Sequence, residues 1–201
     1  ANATLQFADY DKSYSNILPD GLRNGGADVQ FSGYRDTQVR QNWIAQANLV
    51  WEVSTGALDH MVLAGVEASW QDSNNGRSNA FFATAAGGTS NRFTTPLAEI
   101  FAFPAITLGA PVRDRDSALE VFSAYVQDQI DIGEKFQLIA GLRWDRFDLK
   151  TIEQLNGARG NRVDEKVSPR VGLIYKPTGQ LSLYASYATS FLPQAGDQFF
   201  L

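Results

Sequence analysis

The 201-residue sequence contains no cysteine, one histidine (His60) and one methionine. The missing cysteine excludes disulfide scaffolds and thiolate-ligated metal sites. A single histidine leaves little for zinc binding or Ser–His chemistry. Basic residues are outnumbered, 17 Lys+Arg against 22 Asp+Glu, for a formal net charge of −5. That balance argues against a nucleic-acid binder that works by neutralising phosphates. Charged residues make up only 19% of the chain, below the roughly 25% usual in soluble domains. Long hydrophobic runs are also missing. The longest stretch free of charged and strongly polar residues covers 100–112, is interrupted by Pro104, Gly109 and Pro111, and falls short of the ~20 residues a membrane-spanning helix needs. The start, Ala1-Asn2-Ala3, has neither the basic nor the apolar region of a secretory signal.

What is present is 44% hydrophobic and 12% aromatic residues, too much for a disordered chain, arranged with a period of two. Over 39–53 the odd positions read Val39, Gln41, Trp43, Ala45, Ala47, Leu49, Trp51 and Val53. The even positions read Arg40, Asn42, Ile44, Gln46, Asn48, Val50 and Glu52. One face is mostly apolar and the other mostly polar, sustained far beyond the ~5–6 residues of an average soluble strand. Residues 60–71 repeat the pattern across a short turn at 54–58, predicting a long hairpin. Similar alternation over 119–132, 135–148, 167–176 and 181–190, with a weaker segment at 4–10, brings the expected number of strands to about seven.

The expected connections alternate in length. Tight turns fall near 54–58, 133–134 and 177–180, and long connections over 11–36, 73–117 and 150–165. Long loops alternating with tight turns are the pattern of a membrane β-barrel, with short periplasmic turns and long extracellular loops. Arg40, Glu52, Glu67, Arg143 and Arg170 share the polar side, as a hydrated lumen would require. A soluble antiparallel sandwich would also alternate, with its apolar faces turned into a core.

Several strings go further. Ala124-Tyr125-Val126-Gln127-Asp128-Gln129 is followed by Leu138-Ile139-Ala140-Gly141-Leu142-Arg143-Trp144-Asp145. Next come Val167-Ser168-Pro169-Arg170-Val171-Gly172-Leu173-Ile174-Tyr175-Lys176-Pro177 and Leu183-Tyr184-Ala185-Ser186-Tyr187, leading to Ser190-Phe191-Leu192-Pro193-Gln194. In this order and at hairpin spacing, the series resembles the barrel of TonB-dependent outer-membrane receptors, and most closely their ferric-siderophore branch. The resemblance covers essentially the whole chain and is strongest over 118–198. It implies an all-β fold: an antiparallel transmembrane β-barrel segment of about seven long strands, in the bacterial outer membrane. Residues 1–201 are expected to be part of a receptor barrel of 22 strands, with the plug domain and the barrel C-terminus absent. A ferric siderophore is the implied ligand, with outer-membrane lipid around the barrel and the TonB complex reached through the absent N-terminal region. No cofactor, resident metal, nucleic acid or enzymatic activity is expected. A passive porin-like channel, a receptor for cobalamin or a sugar, and a soluble adhesin-like module are the alternatives.

In such receptors the ligand is gripped by aromatic and basic side chains of the outer loops and upper lumen. The candidates here are Tyr34, Arg35, Arg77, Phe81, Phe82, Arg92, Phe93, Phe191 and Gln194. Ferric catecholates and hydroxamates are rigid, oxygen-rich and often anionic; aromatic faces cover their rings and arginine donates to their oxygens. Each candidate could instead pack one loop against another, as could the Phe101-Ala102-Phe103-Pro104 run. Arg143, Asp145 and Arg170 are expected to pair across strands, and His60 to be an interfacial girdle residue.

Overall fold

A computed structural model describes residues 1–191 and 193. Seven long strands form one antiparallel sheet: β1 (Asn2–Arg23), β2 (Asp28–Thr55), β3 (Leu58–Ala83), β6 (Ile106–Ile132), β7 (Phe136–Glu153), β8 (Ala158–Thr178) and β9 (Leu181–Ala188). Two short strands, β4 (Thr89–Ser90) and β5 (Arg92–Pro96), lie in the connection between β3 and β6. The long strands follow one another in space as they do in sequence, and the wall curls into a half-barrel with β1 and β9 at its edges.

The register confirms the alternation. Trp43 pairs with Trp70, Ala124 with Trp144, and Trp144 with Val167, so the tryptophans share the outward face. Gln46 pairs with Glu67, Glu67 with Ser123, and Arg143 with both Tyr125 and Ser168 on the inward face. Outward apolar residues run continuously over 43–53 in β2, 62–70 in β3, 136–144 in β7 and 167–175 in β8. These lengths match the roughly 9–11 residues with which a tilted strand crosses a bilayer. Aromatic rings bound the band on both sides. Phe7 packs on Trp43 at 4.5 Å between ring centres and Phe122 on Trp144 at 5.9 Å at one edge, and Phe136 stacks on Tyr175 at 4.7 Å at the other. Such girdles sit where hydrocarbon meets headgroups. Outward side chains in the band stay half-exposed, as a lipid-facing surface must.

The strands extend well past this band. The segment expected over 4–10 runs from Asn2 to Arg23, and the connection expected over 11–36 shrinks to a 3-10 turn at Asn24–Gly26 followed by Ala27. Likewise, 150–165 shrinks to 154–157 and 73–117 to 84–105. Beyond the bilayer both faces meet water, so polar residues fill both and the period of two disappears, while ladder hydrogen bonds continue to hold the chain extended. The remaining long loop has its own apolar core. There β5 pairs with the top of β2, Phe31 opposite Phe93. Phe103 meets Phe31 edge-on at 5.1 Å and Phe93 at 5.9 Å, and Phe82 stacks on Phe93 at 5.8 Å.

Candidate functional site

Above the aromatic girdle, β1, β2, β3 and β6 bring five inward side chains together around the Asp36 carboxylate, three of them in contact with it. Tyr14 lies opposite Asp36, Asn16 opposite Tyr34, Asp36 opposite Arg77, and Arg77 opposite Arg113. Arg77 grips Asp36 with two hydrogen bonds, Nε to Oδ1 at 2.6 Å and Nη2 to Oδ2 at 2.5 Å. Tyr14 donates its hydroxyl to Oδ2 at 3.0 Å, and Arg113 Nη2 stands 3.5 Å from Oδ1. The Arg77 guanidinium lies over the Tyr34 ring at 4.1 Å, and the Tyr34 hydroxyl accepts from Asn16 Nδ2 at 3.1 Å. This fork-on-carboxylate geometry is the strongest class of ion pair.

The electrostatics follow from that geometry. Hydrogen bonding from Arg77 holds the Asp36 carboxyl below its ordinary range; burial opposes the shift, and Tyr14 and Arg113 add to it. The same contact raises Arg77 further above its usual value, and the carboxylate raises Tyr14, which stays protonated as a donor. Two guanidiniums share one carboxylate, so the cluster is net positive. With Tyr34 and Tyr14 in T-shaped contact at 6.3 Å, it presents cationic and aromatic surface to the lumen, suited to an anionic, oxygen-rich molecule.

The other candidates are dispersed. Arg35 is exposed and, by alternation, outward. Phe81 lies across Gly109 of β6. Phe82, 1% exposed, and Phe93 belong to the loop's own aromatic core. Arg92 lies at the rim and donates to Gln30 Oε1 at 3.0 Å. Phe191 meets Phe147 edge-on at 5.8 Å, on the β7 side of the wall. Gln194 lies outside the described residues. Of the Phe101-Ala102-Phe103-Pro104 run, Phe103 packs into the loop core while Phe101 is 90% exposed. As Phe82 and Phe93 meet in the loop core, so Tyr34 and Arg77 are the two candidates that meet in the inward cluster. Asp36, Tyr14, Asn16 and Arg113, which complete their cluster, were not legible in advance; their shared parity along extended strands is the signal that would have found them.

A second inward cluster sits at membrane depth. Arg143 Nε donates to Asp145 Oδ1 at 2.7 Å and Nη2 to Ser123 Oγ at 2.8 Å; Ser123 donates to Asp145 Oδ1 at 2.6 Å. Glu67 stands 3.8 Å from Arg143, whose guanidinium lies 5.4 Å from the Tyr125 ring. Tyr125 donates to Asn48 and accepts from Gln46 Nε2 at 3.0 Å. Arg143 and Asp145 pair within one strand, two residues apart, rather than across strands, and Ser123 of the neighbouring strand bridges them. Arg170 lies opposite Gly141 instead.

On the outward face near the tight turns, His60 binds two partners. Its Nδ1 is 2.8 Å from Asp128 Oδ2, and its Nε2 is 2.7 Å from Thr55 Oγ1.

The family described as TonB dependent receptor-like, beta-barrel matches residues 1–201. The chain is 30% identical over 164 residues to a probable TonB-dependent siderophore receptor, PiuA, of Acinetobacter baumannii, covering 74% of this chain and 22% of that protein. It is 27% identical over 162 residues to the ferrioxamine B receptor of Salmonella typhimurium, covering 80% and 22% respectively. The chain therefore spans about a fifth of the length of these curated relatives. Among solved structures, Pseudomonas aeruginosa FpvA bound to a heterologous pyoverdine superposes with a TM-score of 0.74 at 16% identity, covering 96% of this chain and 24% of that one. The outward lipid band, the aromatic girdles, the curled antiparallel wall and the full-length match together place the chain in the TonB-dependent receptor β-barrel family of the outer membrane of Gram-negative bacteria.

Proposed function

We propose that residues 1–201 are a segment of the barrel wall of a longer receptor that captures ferric siderophores outside the cell and imports them with energy relayed through TonB. The observation that carries this reading is the Asp36 cluster: Arg77 and Arg113 share one carboxylate, and Arg77 is stacked on Tyr34 above the girdle on the lumen side. A carboxylate that holds Arg77 by one edge orients its guanidinium in advance, so less side-chain freedom is lost when an anionic chelate docks. One relative named as a probable siderophore receptor and another named as the ferrioxamine B receptor support the same ligand class. Tyr34 and Arg77 are the first ligand contacts in this reading; Phe81, Arg92 and Phe191 extend the surface along the inner wall. Uptake moves the chelate without altering its covalent structure. TonB engages a region outside these residues, and lipid surrounds the outward face.

The test is growth of cells carrying the intact parent receptor as their sole siderophore receptor, in iron-limited medium with one siderophore supplied at a time. One chelate is expected to restore growth. Arg77→Ala should raise the concentration required at least about tenfold, the loss of one charge-assisted contact of ~1.5–3 kcal/mol. Uptake of cobalamin or a sugar, with no chelate used, would overturn the siderophore reading and leave the family assignment intact.

A further inference from the structure

We propose that Thr55, His60 and Asp128 form an acyl-ester hydrolysis site on the outward face of the barrel, at the interface on the tight-turn side, acting on the glycerol esters of membrane phospholipid.

The register places all three side chains on the lipid-facing side. Val53 pairs with His60 and His60 with Ile130, so Thr55 and Asp128 are the diagonal neighbours of the histidine on either side. Diagonal neighbours on a sheet face are within reach of a long side chain. The distances are 2.7 Å from Thr55 Oγ1 to His60 Nε2 and 2.8 Å from His60 Nδ1 to Asp128 Oδ2. Proton placement follows from the partners. An ionised Asp128 only accepts, so Nδ1 carries the proton. Nε2 of the neutral ring is then the acceptor, and Thr55 donates to it. A hydroxyl aimed at a basic nitrogen whose other nitrogen is oriented by a carboxylate is the nucleophile–base–orienter arrangement of acyl transfer.

The surroundings favour chemistry over packing. Asp128 interrupts an outward row of Val126, Ile130 and Ile132, and its Oδ1 is buried without a hydrogen-bond partner among the described residues. A carboxylate on a lipid-facing surface is costly, and packing there would be served by another aliphatic. Trp51 lies one outward position above Val53, and Phe136 and Tyr175 mark the same edge of the band, the depth at which lipid ester carbonyls meet the girdle. Thr55 is exposed, and Gly56 beside it, at φ +67, has open space where a side chain would stand. The last ladder pair is Thr55 with Leu58. The N–H groups of Gly56 and Ala57 in the turn are the donors nearest in sequence for a developing oxyanion.

In the reaction, Thr55 Oγ forms a bond to the acyl carbon while its proton passes to His60 Nε2. The ester C–O bond then breaks, and the leaving glycerol oxygen takes that proton. Water repeats the cycle on the acyl-threonine, releasing the fatty acid and restoring the Thr55 hydroxyl. Thr55 and His60 are catalytic residues; Asp128 is a positioning residue.

The test uses the intact parent receptor in detergent micelles, incubated with a fluorophosphonate probe, and separately with a phospholipid carrying a fluorogenic acyl ester. Labelling sites are read by peptide mass spectrometry. Thr178, exposed at another tight turn on the same side, is the internal control. Thr55 should be labelled and Thr178 not. Thr55→Ser should retain or accelerate labelling and hydrolysis, and Thr55→Ala should abolish both. His60→Gln should slow them at least ~100-fold, the usual contribution of a general base. Asp128→Asn should slow them at least about tenfold, with partial rescue by Asp128→Glu, a pattern that a purely packing role would not give. Folding of every variant is checked by its altered gel mobility before and after boiling. Labelling of Thr55 no faster than Thr178, or hydrolysis unchanged in folded Thr55→Ala, overturns the proposal.

Discussion

Replacing Gly65 by alanine should destabilise the wall through Tyr125. The end of the Tyr125 ring occupies the space beside Gly65; a Cβ there would sit 2.4 Å from Tyr125 Cζ and 2.5 Å from Asn48 Oδ1, distances no packed atoms tolerate. The end of the tyrosine ring can swing aside, so the cost is set by what it abandons. Those losses are its hydrogen bond to Asn48, the one from Gln46, and the contact under Arg143. At ~1 kcal/mol per neutral hydrogen bond and ~0.5–1 kcal/mol for the exposed cation–π contact, the loss is about 2.5–3 kcal/mol. Alanine recovers ~0.5–1 kcal/mol over glycine in an extended strand, leaving a net cost of about 2 kcal/mol. Reversible guanidinium unfolding of the intact barrel in lipid vesicles, followed by tryptophan fluorescence, measures it. The decisive control is the same change in a Tyr125→Ala background. There the ring is gone and only the end of the Asn48 side chain has to turn aside, so Gly65→Ala should cost less than ~1 kcal/mol, about one neutral hydrogen bond at most. Equal destabilisation in both backgrounds would refute the reasoning, since the penalty would then have nothing to do with Tyr125.

Three further outcomes are expected. Ala64→Arg, on the outward face near the middle of the band, should cost ~2–4 kcal/mol in the same unfolding assay, whereas the inward Gln127→Arg should cost less than ~1 kcal/mol. Phe82→Ala should remove a core ring worth ~3–5 kcal/mol to the 84–105 loop and hasten its proteolysis, while Phe101→Ala, at an exposed position, should leave the cleavage rate unchanged. Because the folded Asp36 carboxyl titrates below its usual 3.8, its contribution is complete at neutral pH, declines as pH falls below about 3.8, and is lost once pH passes the lower folded value. Unfolding midpoints of wild type and Asp36→Asn should therefore differ at pH 7 and converge under strong acid.

Legibility followed the solvent. Within the band one face meets lipid and the other water, so residues 39–53, 60–71 and 167–176 alternate plainly and their faces and register could be assigned. Above it, stretches such as Ser13-Tyr14-Ser15-Asn16 are wet on both sides and carry no period, and they resemble loop although the ladder runs through them. Tyr34 and Arg77 stood out by residue type. Asp36 did not, because its importance lies in being opposite Arg77; the turn at 54–58 was legible, but 36 and 77 fell in stretches expected to be loops, beyond the alternation that carries the register. His60 was visible as the lone histidine and Asp128 as a break in an apolar row, but Thr55 was only part of a turn, and the diagonal that joins the three is a property of three strands.

The strands differ in height above the girdle. From Trp43 to its far end at Asp28, β2 climbs about 50 Å along the strand, while β7 climbs about 30 Å from Trp144 to Glu153, at ~3.3 Å per residue. The mouth of the wall is therefore oblique, cut like a quill. Asp36 and its two arginines stand on the tall side of that cut, carried by β2, β3 and β6 rather than by β7 or β8.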